Sequence, residues 1–552
     1  MSTPPPSRVT ACGLTQRPDR AAWLARLRAL APWIVAALGA YALLNAATIW
    51  PRITHLWGIS PLRAIGFLVL FAVAGVSFTA LLISLNRYLL IIAIPVLVAV
   101  LTTNGVARET LDLTIVNQQT AEWLLWEIGQ ATDAVSMFAG SFAAHLALSV
   151  LLLTPVVLVA RAARQRFRAN IRDIPLLLSA AFVYASSGVV IHHYFTPYIP
   201  AESNLLLYGA EMLLQPSPDV PPADMQPGDT SPVEQIVLVI DESVTYDAYV
   251  THLQNHYARW NGVDFGEAAS LSNCSAAANS MLRWGFRAEH MLAGEDPRLA
   301  PTIWSYAHAA GFKTWLIDGQ RDGSYQNFMR RKEAKLIDHL VGVDEGVYTD
   351  DAIARLLSDI LAKPGKRIIY VNKRGSHFPY AQYPQEKFPG ARTPEQHYAR
   401  SVQHSSQRFL DLMLQGVSLR RTLVLYTSDH GEQFGEGSPH CNVKPRWQES
   451  SVPLVLLTES PLVSEPARAA AAALKNRAGH GQLFATMLFA MGYDLSTAER
   501  EYGTSLLSPH VPQHYYFVSG NPIPSERQQI TVTQFTHFPH RAPQPTAVAS
   551  AN

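Results

Sequence analysis

Charge is scarce in this sequence. Only 16% of its 552 residues are Asp, Glu, Lys or Arg, against about a quarter in ordinary soluble domains. A net charge of +1 gives no basis for a nucleic-acid partner. Cysteine is scarcer still: Cys12, Cys274 and Cys441 are the full set, which excludes a disulfide framework. Spacing leaves a Cys274–Cys441 bridge open, and Cys12 is expected to stay reduced. No cleavable signal peptide is expected, because the first apolar stretch is long, starts late and has no clear small-residue cleavage site. The length calls for two or more domains, and the shortage of charge is local: the first 200 residues are very apolar and the rest is ordinary.

Five apolar stretches fill that first part, at roughly 31–50, 64–85, 88–104, 141–160 and 174–191. A helix needs about 20 residues at ~1.5 Å each to cross a ~30 Å hydrocarbon core. One such stretch fits a buried helix of a soluble protein; five so close together predict transmembrane helices. Arginine sets the orientation. Arg8, Arg17, Arg20, Arg26 and Arg28 precede the first stretch, and Arg161, Arg164, Arg166, Arg168 and Arg172 lie between the fourth and fifth. Both segments are expected to be cytoplasmic. An odd number of spans then puts everything after residue 192 outside, together with the loop 105–140. In that loop "AEWLLWEIG", with Trp123 and Trp126, reads as an interfacial anchor. Asn117, Thr120 and Glu122 beside it are candidates for holding a lipid headgroup.

A Pro-rich polar segment, "QPSPDVPPADMQPGDTSP" (215–232), reads as an extended spacer. Beyond it come short β-branched runs, "IVLVI", "TWLID", "RIIYVN" and "TLVLYTSD", alternating with helical segments at 350–363 and 397–414. This pattern predicts an α/β domain with a mostly parallel sheet. Ligands in such sheets sit at the carboxyl ends of the strands. Those ends deliver Asp241 and Glu242, then His377, then Asp429 and His430.

Carboxylates with an imidazole suit Zn²⁺, with Mn²⁺ as second choice. A catalytic zinc takes three protein ligands, here Glu242, Asp429 and His430, and leaves one position for the reacting group. "LSNCSAAANSMLRWG" (271–285) supplies hydroxyls at the start of a helix capped by Asn273 or Ser272, a natural phosphate seat. Ser275 is the first candidate nucleophile and metal-contacting hydroxyl, Cys274 the alternative and Ser280 the third.

Taken in order, "VIDES", "NCSAAANS", "GSHFPYAQYP" and "TSDHGEQFGE…H" resemble the alkaline phosphatase and sulfatase superfamily. With five preceding spans the chain resembles its membrane-anchored phosphoethanolamine transferases. The resemblance implies a five-helix transmembrane domain followed by a sulfatase/alkaline-phosphatase-like α/β domain. The boundaries become 1–30 for a cytoplasmic N-terminus, 31–192 for the membrane domain, 193–232 for a linker, 233–515 for a periplasmic catalytic domain and 516–552 for a tail. It implies a multi-pass protein of the bacterial inner membrane. The reaction implied is metal-dependent transfer of phosphoethanolamine from phosphatidylethanolamine to lipid A or an envelope glycan, through a phospho-enzyme. Glu242, Asp429 and His430 match the metal ligands, His377 and His440 the substrate-side histidines with catalytic roles, and Lys373 and Arg374 lie where they can assist with phosphate. The family's usual Thr nucleophile is replaced by Ser275. Ala276 and Ala278 stand where conversion of a sulfatase cysteine needs Pro and Arg, which argues against a sulfatase. The alternatives are a phosphoglycerol transferase of the lipoteichoic acid synthase type, a sulfatase-like hydrolase, and a non-catalytic lipid-sensing scaffold, which the intact ligand set disfavours.

Overall fold

The computed structural model describes residues 20–110, 135, 138–167, 173–194, 200–205, 218–320, 327–329, 331–384, 390–435, 438–442, 446–519 and 531–535. Asn117, Thr120, Glu122, Trp123 and Trp126 lie outside the described residues. The chain divides into two compact units, residues 1–99 with 146–201, and residues 100–145 with 202–552.

Among the described residues, six helices occupy the apolar part: α1 (Arg20–Leu44), α2 (Ala46–Ile59), α3 (Pro61–Ser84), α4 (Arg87–Thr110), α5 (Ala139–Phe167) and α6 (Asp173–Tyr194). Four spans within α3 to α6, among the described residues, are long and apolar enough to cross a membrane. Leu62, Ile91, Leu151 and Phe182 on these helices are exposed, as side chains facing lipid are and side chains of a soluble bundle are not. The stretch read as a single first span over 31–50 is broken. Helices α1 and α2 meet at Asn45, with a bend of 94° between Arg28–Leu44 and Ile49–Ile59. The buried Asn45 carboxamide accepts the Ala201 N–H at 2.9 Å, which pairs a backbone donor that hydrocarbon would leave unsatisfied. Counted as one span, the bent pair makes five.

The C-terminal domain is built on an eight-stranded sheet in the order β4-β3-β5-β1-β6-β7-β2-β8. The strands are β1 (Gln235–Asp241), β2 (Val263–Ala269), β3 (Lys313–Asp318), β4 (His339–Gly342), β5 (Arg367–Asn372), β6 (Thr422–Ser428), β7 (Ser451–Leu457) and β8 (Ala478–Gly479). From β4 to β6 all pairings are parallel; β7 runs antiparallel to both β6 and β2. Continuous apolar runs bury β1, β6 and β7 along their whole length, with one hydrophobic cluster on each face of the sheet. The four strands expected from the sequence are β1, β3, β5 and β6. Strand β1 lies between β5 and β6, with Ile240 beside Asn372 and Asp241 beside Ser428. This register brings the carboxyl ends of all three to one level of the rim.

Helix α7 (Ser275–Trp284) begins at the nucleophile candidate, with Cys274 rather than Asn273 or Ser272 as its N-cap. The expected helix at 350–363 is α8 (Thr349–Leu361). That at 397–414 is split into α9 (Pro394–Ser406) and a short turn, Phe409–Met413.

Contacts extend on both sides of the 233–515 domain expected from the sequence. The second half of the Pro-rich spacer is strapped to the C-terminal domain: the Pro221 carbonyl accepts from Ser305 Oγ at 2.8 Å, Asp224 accepts from Tyr306, and Gly228 N–H donates to the Gly492 carbonyl at 2.9 Å. Past residue 515, read as the start of a tail, β9 (Tyr515–Ser519) pairs antiparallel with β10 (Thr531–Phe535). Phe517 and Val518 are buried, and Val518 N–H donates to the Leu271 carbonyl at 2.7 Å. The segment 538–552 lies outside the described residues.

Candidate metal centre

Glu242 follows β1, and Asp429 and His430 follow β6. All three are buried, and their ligand atoms lie within 4.8 Å of one another. Each is held from behind. Asp429 Oδ1 accepts the backbone N–H of Ser243 at 3.1 Å and of His430 at 2.8 Å. His430 Nδ1 lies 2.8 Å from the Gly431 carbonyl. That oxygen only accepts, so Nδ1 carries the proton and Nε2 is left as a lone pair. The Glu242 carboxylate receives Ser243 Oγ at 2.9 Å and Gln320 Nε2 at 2.6 Å.

Asp429 Oδ2 is buried with no hydrogen-bond partner. An orphaned carboxylate oxygen beside a second buried carboxylate is costly unless a cation completes it. Burial, and then the neighbouring Glu242, push the Asp429 carboxyl up to about 7. Burial also raises Glu242 and lowers His430. Two carboxylates, one of them with the unsatisfied Oδ2, and one imidazole lone pair are a three-donor set that suits Zn²⁺.

The Ser275 hydroxyl faces the same point, 3.1 Å from His430 Nε2 and 3.3 Å from each Glu242 oxygen. It stands on the first residue of α7, whose N-cap makes no side-chain bond. The leading N–H groups of a helix offer positive potential to an anion.

Among the described residues a second cluster joins His430 with Glu432 and His440. His440 Nδ1 lies 3.1 Å from Glu432 Oε2, Tyr380 donates to the same carboxylate, and the His440 ring lies against His430 with centroids 4.5 Å apart. Because His430 has one free nitrogen, the two clusters are not independent metal sites. Burial works to lower His440, but Glu432 outweighs it and raises the imidazole to about 9. The residues thus divide into a ligand set and a cationic histidine beside it.

Several sequence candidates change place. Cys274 is disulfide-bonded to Cys441, so it has no free thiolate to act as the alternative nucleophile. Ser280 is buried and donates to the Ala277 carbonyl at 2.8 Å, away from the ligand set. Lys373 is fully buried behind the site, donating to Asp241 at 2.7 Å and Ser406 at 2.6 Å. Asp241 itself is spent on this network, which also includes the Tyr426 hydroxyl at 2.8 Å. His377 joins neither cluster; its Nδ1 lies 2.7 Å from the Phe378 carbonyl. Sequence reasoning missed Ser243, Gln320 and Glu432. The strand-end rule applied to "TWLIDGQ" reaches Gln320, and Glu432 stands two residues after His430 in "DHGE".

Two expected outcomes follow from these corrections. Lys373→Met leaves Asp241 as an unpaired buried charge and costs about 3–5 kcal/mol of stability, read as a lower denaturant midpoint. A substrate-contact lysine would instead raise KM with the midpoint unchanged. Replacing both Cys274 and Cys441 by Ala removes a link across 167 residues, worth about 5 kcal/mol by chain entropy. The wild-type midpoint falls by the same amount in reductant; a midpoint indifferent to reductant contradicts the bridge.

Residues 236–493 match the model of the Sulfatase family, so the C-terminal domain is sulfatase-like. No curated protein matches the chain. Among solved structures, the C-terminal periplasmic domain of EcEptC from Escherichia coli is 16% identical, with TM-score 0.46, covering 58% of this chain and 98% of that one. The same domain in complex with Zn is 17% identical, with TM-score 0.45, covering 56% and 96%. The integral membrane lipooligosaccharide phosphoethanolamine transferase A of Neisseria meningitidis is 14% identical, with TM-score 0.47, covering 85% and 98%.

Proposed function

We propose that this chain is a membrane-embedded, zinc-dependent phosphoethanolamine transferase. It takes the headgroup from phosphatidylethanolamine and passes it to lipid A or another envelope glycan, with the C-terminal domain on the periplasmic side of a bacterial inner membrane. The observation that carries the reading is the Ser275 hydroxyl at the start of α7, within 3.3 Å of both His430 and Glu242. A hydroxyl on the ligand set supports a covalent intermediate, which an acceptor hydroxyl resolves in a transferase and water in a hydrolase. The apolar helices support a lipid donor.

Glu242, Asp429 and His430 would hold the zinc, which supplies the Lewis acidity that makes the nearby hydroxyl a nucleophile at neutral pH. Ser275 Oγ bonds to phosphorus as the bond to the diacylglycerol oxygen breaks. The α7 N–H groups stabilise the phosphoryl oxygens. The Ser275 proton leaves to solvent, and His440, beside Glu432, protonates the departing oxygen; the acceptor oxygen then bonds to phosphorus, giving its proton to His440, as the Ser275 Oγ–phosphorus bond breaks. His377 serves as a second histidine toward phosphate.

The test uses the full-length chain in detergent with zinc, offered phosphatidylethanolamine or phosphatidylglycerol in mixed micelles. Diacylglycerol released from phosphatidylethanolamine, with transfer to lipid A, is expected. Release from phosphatidylglycerol alone moves the chain to the phosphoglycerol transferases. Free phosphoethanolamine in water without transfer makes it a hydrolase.

A further inference from the structure

The sequence gives Gln320 no role, yet among the described residues its amide makes the shortest hydrogen bond to a ligand candidate's side chain, 2.6 Å to Glu242. It follows β3 in "LIDGQ" and is fixed in place from three sides. Its own N–H donates to Asp318 Oδ1 at 3.0 Å. Gly319 N–H donates to the Asn372 carbonyl at 2.7 Å. A side chain at Gly319 would come within 2.7 Å of Ile353 and 2.9 Å of the Arg374 nitrogen, so the turn fits closely against the ends of β5 and α8.

The partners of Gln320 Nε2 fix which way the amide points. They are Glu242 Oε2 at 2.6 Å, the Lys373 carbonyl at 3.1 Å and Asn372 Oδ1 at 3.4 Å. The Asn372 amide nitrogen is turned to Asp318, at 3.2 Å, so all three groups facing Gln320 are acceptors. A flipped amide would set its oxygen against three oxygens. Glu242 is thereby held at both ends, by Ser243 Oγ on Oε1 and by Gln320 on Oε2. Each oxygen keeps lone-pair capacity for the side where Ser275 and His430 stand.

We infer that Gln320 is the positioning residue of the metal centre: it sets the rotamer of Glu242 and so the affinity for zinc. The inference rests on the metal centre read above. Partners of this kind are worth about 10–100-fold in metal affinity.

The experiment measures zinc affinity of the full-length chain in detergent, stripped by chelation and titrated against a chromophoric competitor. Gln320→Met keeps the length and removes both donors. Gln320→Asn keeps the amide one methylene short of Glu242 and covers the case in which the Met variant does not fold. The expected result is zinc dissociation about 10–100-fold weaker in either variant, with the melting temperature of the metal-free form close to wild type. Wild-type affinity in a folded variant overturns the assignment, as does a loss of affinity that only tracks a collapse in metal-free stability. A wild-type chain that takes up no zinc overturns the metal centre and this inference together, so the two failures are distinguishable.

Discussion

Ser275→Ala binds zinc as wild type does and loses transfer by a factor on the order of a thousand or more. The three candidate ligands come from the ends of β1 and β6, and their supports are Ser243, Gln320, Gly431 and backbone N–H groups. None of these passes through Ser275. The hydroxyl is the one group placed both on the ligand set and at the head of α7. Removing it takes away the covalent route and leaves the site able to bind. Ser275→Thr keeps a hydroxyl at the same position and is expected to retain part of the activity. Cys274→Ala costs stability through the lost disulfide but leaves a detectable rate per folded molecule. Equal zinc affinity with a collapsed rate in Ser275→Ala, read by competition titration beside a transfer assay, checks the division of labour. A Ser275→Ala enzyme at near-wild-type rate assigns the chemistry to water.

The second large effect runs in opposite directions for function and stability. Asp429→Asn abolishes zinc binding and transfer, yet the metal-free protein becomes more stable by about 1–2 kcal/mol. Two buried carboxylates face each other here, and Asp429 Oδ2 has no partner. An Asn keeps an oxygen for the Ser243 and His430 N–H groups and turns an amide donor toward Glu242. The repulsion that zinc relieves in the wild type is then gone without zinc. Melting curves with and without zinc check this: the wild type rises on addition of zinc, and the variant starts higher and does not move. A variant less stable than wild type in the absence of metal shows that Asp429 is satisfied there by the protein alone.

Much of this site is legible in the sequence because buried parallel strands write themselves as short β-branched runs, and their ends are where ligands collect. "IVLVIDE" and "LYTSDH" therefore gave both the strands and the ligands. Register did the rest, setting Asp241 beside Ser428. What sequence could not carry was the partition among neighbouring charged residues. Asp241 and Glu242 are adjacent, but strand alternation sends one behind the sheet to Lys373 and the other to the rim. Lys373 looked like a phosphate contact because its burial is invisible without the fold. Strand β2 was missed because "VDFGEAA" mixes polar residues and Gly into a buried edge region, and β8 because two residues leave no periodic signal. The break at Asn45 was missed for the opposite reason: one Asn inside an apolar run barely changes its hydropathy, while its side chain bonds the backbone at Ala201.

The most direct test of the account is the mass of the Ser275 peptide. The zinc-loaded full-length chain is mixed briefly with phosphatidylethanolamine without acceptor, quenched in acid, digested and mapped. The account predicts a peptide containing residues 275–283 that carries one phosphoethanolamine on Ser275, absent from Ser275→Ala and from chelator-treated protein. Diacylglycerol released with no adduct on that peptide, or an adduct on another side chain, would contradict it.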